Sequence, residues 1–79
     1  MLEERVMLPG GLRIEISLAA LGKYRLACLA QGGLLVQYSG DGARQRRRVC
    51  GRESAYEFRS VEQLRYDFER DVADAQPQG

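Results

Sequence analysis

The residues with the strongest chemical character are five arginines within ten positions near the middle of the chain: Arg44, Arg46, Arg47, Arg48 and Arg52. Guanidinium groups held on a rigid strand can neutralise phosphates or pair bidentately with carboxylates. In an extended strand, Arg44, Arg46 and Arg48 share one face and Arg47 takes the other. A structural role is equally open, because charge protects an edge strand from aggregation and arginine stems cover apolar surface.

Opposite charges are separated along the chain. The 79 residues include 12 basic and 11 acidic side chains, for a net charge of +1. Residues 43–52 have five arginines and no acid, whereas residues 53–79 have three arginines against seven acids, a net of −4. The acidic third is either a solvated helix face or a docking surface for a basic partner. Its candidate contacts are Glu62, Asp67, Glu69 and Asp71, with Tyr66 as an aromatic anchor between arginines.

Residues for catalysis are scarce. The chain has no His, which removes the usual general base near neutral pH and the commonest zinc ligand. Cys28 and Cys50 are isolated, and two cysteines cannot complete a zinc site. We expect a buried pair of reduced thiols, or a disulfide if the two face each other on paired strands. We therefore predict no enzyme, no catalytic residue, no metal and no cofactor.

The elements that would position these residues begin with strands. Apolar and polar side chains alternate over residues 12–18, which is typical of a half-buried strand, and residues 5–8 are a candidate strand before it. A further strand is predicted over 34–39, followed by a hairpin turn at 40–42 and a return strand over 43–50.

Residues 18–31 fit two structures. The absence of β-branched residues from the Leu- and Ala-rich parts of this segment favours a helix. Gly22 in mid-helix and Arg25 within the apolar stripe oppose it. We favour a hairpin with its turn at 20–23, which places Tyr24, Leu26 and Cys28 on one side.

The last predicted element is a helix. Ser60 is a candidate N-cap with Gln63 three residues later, and an apolar stripe follows at Val61, Leu64, Phe68 and Val72. A short extended piece over 56–58 precedes it. The expected fold is α+β: an antiparallel β-meander of about four strands followed by a C-terminal amphipathic helix packed on one face. One domain spans residues 1–75, and 76–79 form a frayed tail.

The junction between meander and helix supports a family comparison. The segment Phe58-Arg59-Ser60-Val61-Glu62-Gln63-Leu64, followed by Phe68, resembles small phage-encoded anti-CRISPR proteins directed against type I CRISPR effector complexes. That resemblance implies an inhibitor whose partner is a subunit of such a complex. The order of three strands and a helix is also similar to the DNA-binding domains of plant AP2 factors and phage integrase arms, in which Arg44, Arg46 and Arg48 would face the major groove.

The expected function is that of a small non-enzymatic binding or inhibitor protein, encoded by a phage or mobile element, that acts by protein–protein interaction. The alternative is a nucleic-acid-binding module that uses residues 44–52. No run approaches the ~20 apolar residues of a membrane span, and the acidic start lacks the features of a signal peptide, so we expect a cytoplasmic location in a bacterial host. A homodimer would cover the apolar faces that so small a core leaves exposed.

Overall fold

A computed structural model describes residues 2–19, 23–30 and 33–75. Its elements are β1 (Leu2–Leu8), β2 (Leu12–Leu18), β3 (Lys23–Ala30), β4 (Gly33–Asp41), β5 (Gln45–Val49), β6 (Arg52–Ala55) and α1 (Val61–Ala75). The strands form one antiparallel sheet in the order of the sequence. The α+β class, with a meander followed by a helix, is therefore confirmed.

The predicted number of about four strands is too small, because the sheet has six. One strand beyond those four is β1, which includes the candidate strand 5–8 and pairs with β2 over all seven of its residues. The other is β6, whose sequence Arg-Glu-Ser-Ala lacks the apolar alternation of a half-buried strand and is fully exposed. β6 is a strand only because it pairs with β5, so its own sequence contains no pattern that predicts a strand. Residues 56–58, predicted to be extended, lie after β6 and outside any strand.

The ambiguous segment is a hairpin, as favoured. β3 pairs with β2 on one side and with β4 on the other, so its backbone groups are satisfied by neighbours and not by a helix. Tyr24, Leu26 and Cys28 share one side of β3, as predicted, and all three are buried in the core. The predicted turn residues 20–22 and the predicted tail 76–79 lie outside the described residues.

α1 packs on one face of the sheet. Ser60 accepts a hydrogen bond from the backbone amide of Gln63 at 3.0 Å, which confirms the predicted N-cap. Leu64, Phe68 and Val72 are buried, as predicted. Val61 is 43% exposed, so the buried stripe begins one turn later than its predicted start.

Cys50 occupies a two-residue turn between β5 and β6. Both turn residues have positive φ, 50° at Cys50 and 84° at Gly51, as the tightest hairpins require. Cys28 is buried, whereas Cys50 is exposed, and both are free thiols. The expected buried pair is therefore wrong at Cys50, because the turn carries that side chain to the surface.

Candidate functional site

The register of the sheet separates its side chains into two faces. The face under α1 carries the core, including Ile16, Leu26, Val36 and Tyr38. Residues of the opposite parity project from the other side, which we call the open face, since α1, the one helix among the described residues, covers the opposite side of the sheet. Arginines recur across this open face, and they position the candidate site.

The open face is rich in charge with a basic excess. It carries six basic and four acidic side chains, a net of +2: Arg5, Arg13, Lys23, Arg25, Arg46 and Arg48 against Glu3, Glu15, Asp41 and Glu53. The basic side chains are concentrated around β4. In one cross-strand row, Arg25 and Arg46 flank Ser39. In the next row, Arg48 lies beside Gln37.

Arg44 extends this group at one end. Arg44 and Arg46 line a shallow depression of about 320 Å³ together with Ser39, Gly40 and Asp41. Hydrogen bonds fix the shape of the turn beneath, since Asp41 accepts from the backbone amides of Arg44 at 2.8 Å and Ala43 at 3.0 Å. Those two hydrogen bonds hold the pKa of Asp41 below its usual value. We call Arg25, Arg44, Arg46 and Arg48 the arginine patch.

Most of the arginine patch is free of internal ion pairs. Arg46 lies 3.6 Å from Glu53, with both side chains about half exposed. Such surface pairs contribute little, typically ~0–1 kcal/mol, so the guanidinium remains available to a ligand. In the described part of the chain, Arg25, Arg44 and Arg48 form no salt bridge.

Arg47 takes the opposite face, as its strand position predicts, and it contacts α1. Its Nε lies 2.6 Å from Oδ2 of Asp71, and its Nη2 lies 2.9 Å from Oδ1, which is a bidentate pair. Tyr38 donates a hydrogen bond from its hydroxyl to the same carboxylate. Asp71 is only 3% exposed, although its position in the sequence places it off the apolar stripe. These two predicted contact residues therefore hold the helix on the sheet.

The charge states in this cluster follow from its contacts. Burial alone would raise the pKa of Asp71, but hydrogen bonds from Arg47 and Tyr38 outweigh it, so the pKa lies below its ordinary value. Burial and the bonded carboxylate both raise the pKa of Tyr38. The hydrogen bond to Asp71 raises the pKa of Arg47. The cluster is a permanent ion pair near neutral pH.

Asp67 also makes internal contacts. Its carboxylate accepts hydrogen bonds from the Tyr56 hydroxyl at 2.7 Å and from the Gln63 side-chain amide at 2.9 Å. Tyr56 in turn packs edge-on against Tyr38, with ring centroids 4.8 Å apart. Asp67 therefore tethers the chain between β6 and α1 to the helix.

The other predicted contacts of the helix are exposed. Glu62 and Glu69 point to solvent, and Tyr66 is 59% exposed with the Arg70 guanidinium 6.0 Å from its ring centre. Arg52 is exposed on the edge strand β6. With Asp67 and Asp71 occupied internally, the exposed surface of α1 is much less acidic than its sequence.

Of the ten predicted contact residues, the structure brings some together on the open face and places the others elsewhere. It also places residues on the open face that were not predicted. Arg44, Arg46 and Arg48 come together on the open face, but Arg47 and Arg52 do not join them. The sequence prediction missed Arg25, Gln37 and Ser39. The predicted hairpin at 18–31 could have indicated Arg25, because β3 pairs with β4 and β4 pairs with β5, which places Arg25 and Arg46 on either side of Ser39.

Comparison with protein families, curated proteins and solved structures found no match for this chain. Among the residues that the structure describes, none of the helices has the length and apolar character needed to cross a bilayer. Within the same residues, no three acidic or cysteine side chains are grouped as a metal site would need. The geometry of the open face is therefore the basis for a functional assignment.

Proposed function

We propose that this chain is a small non-enzymatic binding protein that uses the arginine patch to recognise an acidic surface of a partner protein. The observation that carries the proposal is the placement of four arginines from three parts of the chain on the uncovered side of the sheet. Two short polar side chains, Gln37 and Ser39, separate them and leave the guanidinium groups accessible.

The sheet supports recognition because it fixes the spacing of the arginines before binding. Neighbouring strands lie about 4.8 Å apart, so Arg25 and Arg46, two strands apart, have backbones roughly 10 Å from each other. A carboxylate or phosphate can be held bidentately by each. Since the strands are ordered in the free protein, binding orders only the side chains, which reduces its entropic cost.

Nucleic acid is the second candidate, and the same patch favours it. Guanidinium groups on a sheet face can neutralise phosphates. However, none of the described residues on the open face is aromatic, because the Tyr and Phe rings of the strands lie in the core around Tyr38 and Tyr24. Base stacking on the sheet is therefore not available, and duplex contacts would be mostly ionic.

One specific form of the proposal is inhibition of a type I CRISPR effector complex by a phage-encoded protein. It is supported by the resemblance of the segment from Phe58 to Leu64, which includes the N-cap of α1. An interference assay, in which cells with an active type I system are challenged by a targeted phage or plasmid with and without this chain, tests it. Unchanged interference would overturn this form of the proposal and leave the binding role to the next experiment.

The binding role is tested with two double variants of equal charge change. Arg46→Glu/Arg48→Glu alters the arginine patch, whereas Arg59→Glu/Arg70→Glu alters two exposed arginines elsewhere. Proteins captured from bacterial lysate by wild type and by the control, but not by the patch variant, would support the proposal. Equal capture by all three would refute it.

A duplex DNA and an RNA oligonucleotide, titrated by fluorescence anisotropy across salt concentrations, address the second candidate. Ionic binding to phosphates predicts an affinity that falls steeply as salt rises and that the patch variant loses. Salt-dependent binding that the patch variant loses, together with no captured protein, would identify nucleic acid and not a protein as the partner.

A further inference from the structure

The free edge of β1 differs from the rest of the surface. β1 is an edge strand of seven residues that pairs on one side only, with β2. In the described part of the chain, five large apolar side chains are exposed, and three of them lie on β1: Leu2 at 40%, Val6 at 42% and Met7 at 72%. A long edge strand with apolar side chains readily pairs with another strand.

The side chains beside this edge continue the apolar surface. Val6 and Leu8 line a depression of about 360 Å³ between β1 and α1 together with Ile14, Phe68 and Val72. α1 packs mainly over β4 at the centre of the sheet, and it reaches β1 through the Arg65 side chain beside Glu4. An occupant that adds a strand to β1 would therefore also extend the covered core.

We propose that the β1 edge is the interface between two copies of this chain, which pair antiparallel with Glu4 opposite Glu4 of the second copy. This commitment to a second copy rests on the sequence of β1 itself. In a two-fold antiparallel pair, opposed residues lie on the same face of the sheet, so their numbers must have the same parity. The candidate registers are therefore centred on a residue.

The register centred on Glu4 complements both faces. On the open face, Glu3 of each copy lies opposite Arg5 of the other, which forms two ion pairs. On the helix face, Leu2 of each copy lies opposite Val6 of the other, which buries four exposed apolar side chains. Glu4 meets Glu4, but each carboxylate lies 3.8 Å from Arg65 of its own helix, which offsets the repulsion.

The registers centred on Glu3, Arg5 and Val6 lack this match. Centring on Glu3 sets Glu3 against Glu3 and Leu2 against Glu4. Centring on Arg5 places two arginines opposite each other and sets Glu3 against Met7. Centring on Val6 sets Arg5 against Met7 and Glu4 against Leu8. All three leave charges opposite apolar side chains, which discriminates against them. The sheet would continue as twelve strands, with both arginine patches on the same side.

The register is tested by single cysteine substitutions. Opposed residues in an antiparallel pair have Cα atoms about 4.5 or 5.5 Å apart, within the range that a disulfide spans. With Cys50→Asn removing the exposed native thiol, Glu4→Cys should form a covalent dimer under mild oxidation. Arg5→Cys and Val6→Cys should not, because each lies opposite a different residue. Faster dimerisation of Arg5→Cys or Val6→Cys than of Glu4→Cys would overturn the register.

Association itself is tested by sedimentation of the full chain over about 10 μM to about 1 mM. We expect a concentration-dependent dimer. Arg5→Glu should raise the dimer dissociation constant about 10- to 100-fold, and Glu3→Arg/Arg5→Glu should restore it, because each opposed pair again joins unlike charges. Glu53→Arg on the opposite edge should leave it unchanged. A monomer at every concentration, or no rescue by the double variant, would refute the proposal. Urea unfolding of each variant checks that the variant itself is folded.

Discussion

The ion pair between Arg47 and Asp71 predicts a large loss of stability when its carboxylate is removed. In Asp71→Ala, the Arg47 guanidinium loses both of its bonds to the carboxylate. The buried Tyr38 hydroxyl loses its charged acceptor and keeps only a long hydrogen bond to the Asp67 carbonyl oxygen at 3.4 Å. Breaking a buried pair from one side typically costs about 3–5 kcal/mol. The Arg47 side chain is 34% exposed and can be partly hydrated, so the low end, about 3 kcal/mol, applies.

The loss of the Tyr38 hydrogen bond to the carboxylate adds about 1 kcal/mol, for a total of about 4 kcal/mol. A chain of this length has a free energy of unfolding of roughly 4–12 kcal/mol, so the variant would lose between about a third and all of its stability. Urea unfolding followed by circular dichroism measures the change directly. The matched control is Asp74→Ala, an exposed aspartate on the same helix, which should change the free energy of unfolding by less than about 0.5 kcal/mol.

A compensated variant separates the loss of the pair from the loss of packing. Arg47→Met/Asp71→Leu replaces both charges by apolar side chains, which is often near neutral when done together. The double variant should therefore be more stable than Asp71→Ala. A loss of less than about 1 kcal/mol for Asp71→Ala would refute the assignment of Asp71 as the anchor of the helix.

Three further predictions follow from single side chains. Asp71 has a lower pKa in the folded protein than its unfolded value of about 3.9, so its ionised carboxylate stabilises the fold at pH values above the unfolded pKa. This stabilisation is lost as the pH falls from the unfolded pKa through the folded pKa. In urea titrations between pH 7 and about 2, the free energy of unfolding should therefore fall less steeply with acid for Asp71→Asn than for wild type. Cys50→Asn should raise the free energy of unfolding by about 0.5 kcal/mol, because asparagine tolerates positive φ better, whereas Gly51→Ala should lower it by about 1 kcal/mol in the same urea titration. Burial raises the pKa of Tyr24 to about 12, and its hydroxyl has no hydrogen-bond partner among the described residues. Tyr24→Phe should therefore be neutral or stabilising by up to about 1 kcal/mol, whereas Tyr38→Phe should lower the free energy of unfolding by about 1.5–3 kcal/mol. Thermal unfolding compares the two variants, and a larger loss for Tyr24→Phe than for Tyr38→Phe would contradict the prediction.

The parts of the fold with local signals were predictable from the sequence. Alternation over 12–18 and the Ser60 cap each specify structure within a few residues, and both predictions hold. β6 was not predictable, because its exposed polar residues are held by pairing with β5 and not by burial. The strand at 23–30 was favoured over a helix only because of Gly22 and Arg25, since the helix propensity of this segment is overridden by pairing on both sides.

The candidate site, like the fold, was predictable from the sequence where a local pattern places the side chain. Strand periodicity separates Arg47 from Arg46 and Arg48, and the structure agrees. The partner of Arg47 could not be predicted, because it depends on where α1 lies on the sheet, and strand periodicity does not give that position. Asp71 illustrates the reason: an acid beside an apolar stripe is normally solvated, and only a bidentate partner on the sheet makes its burial favourable.

Consecutive arginines on β5 therefore have separable roles, and this separation makes the proposed function testable. Arg47 lies under α1 and contributes to stability, whereas Arg46 and Arg48 project from the open face, where they contribute little to the fold. Arg46→Ala and Arg48→Ala should lose binding with nearly unchanged unfolding curves, and variants of Arg47 should lose stability first. The charge separation of the sequence is thus only partly a binding signal. One arginine of the basic strand and one aspartate of the acidic helix neutralise each other inside the molecule, and the arginines that remain outside are those available to a partner.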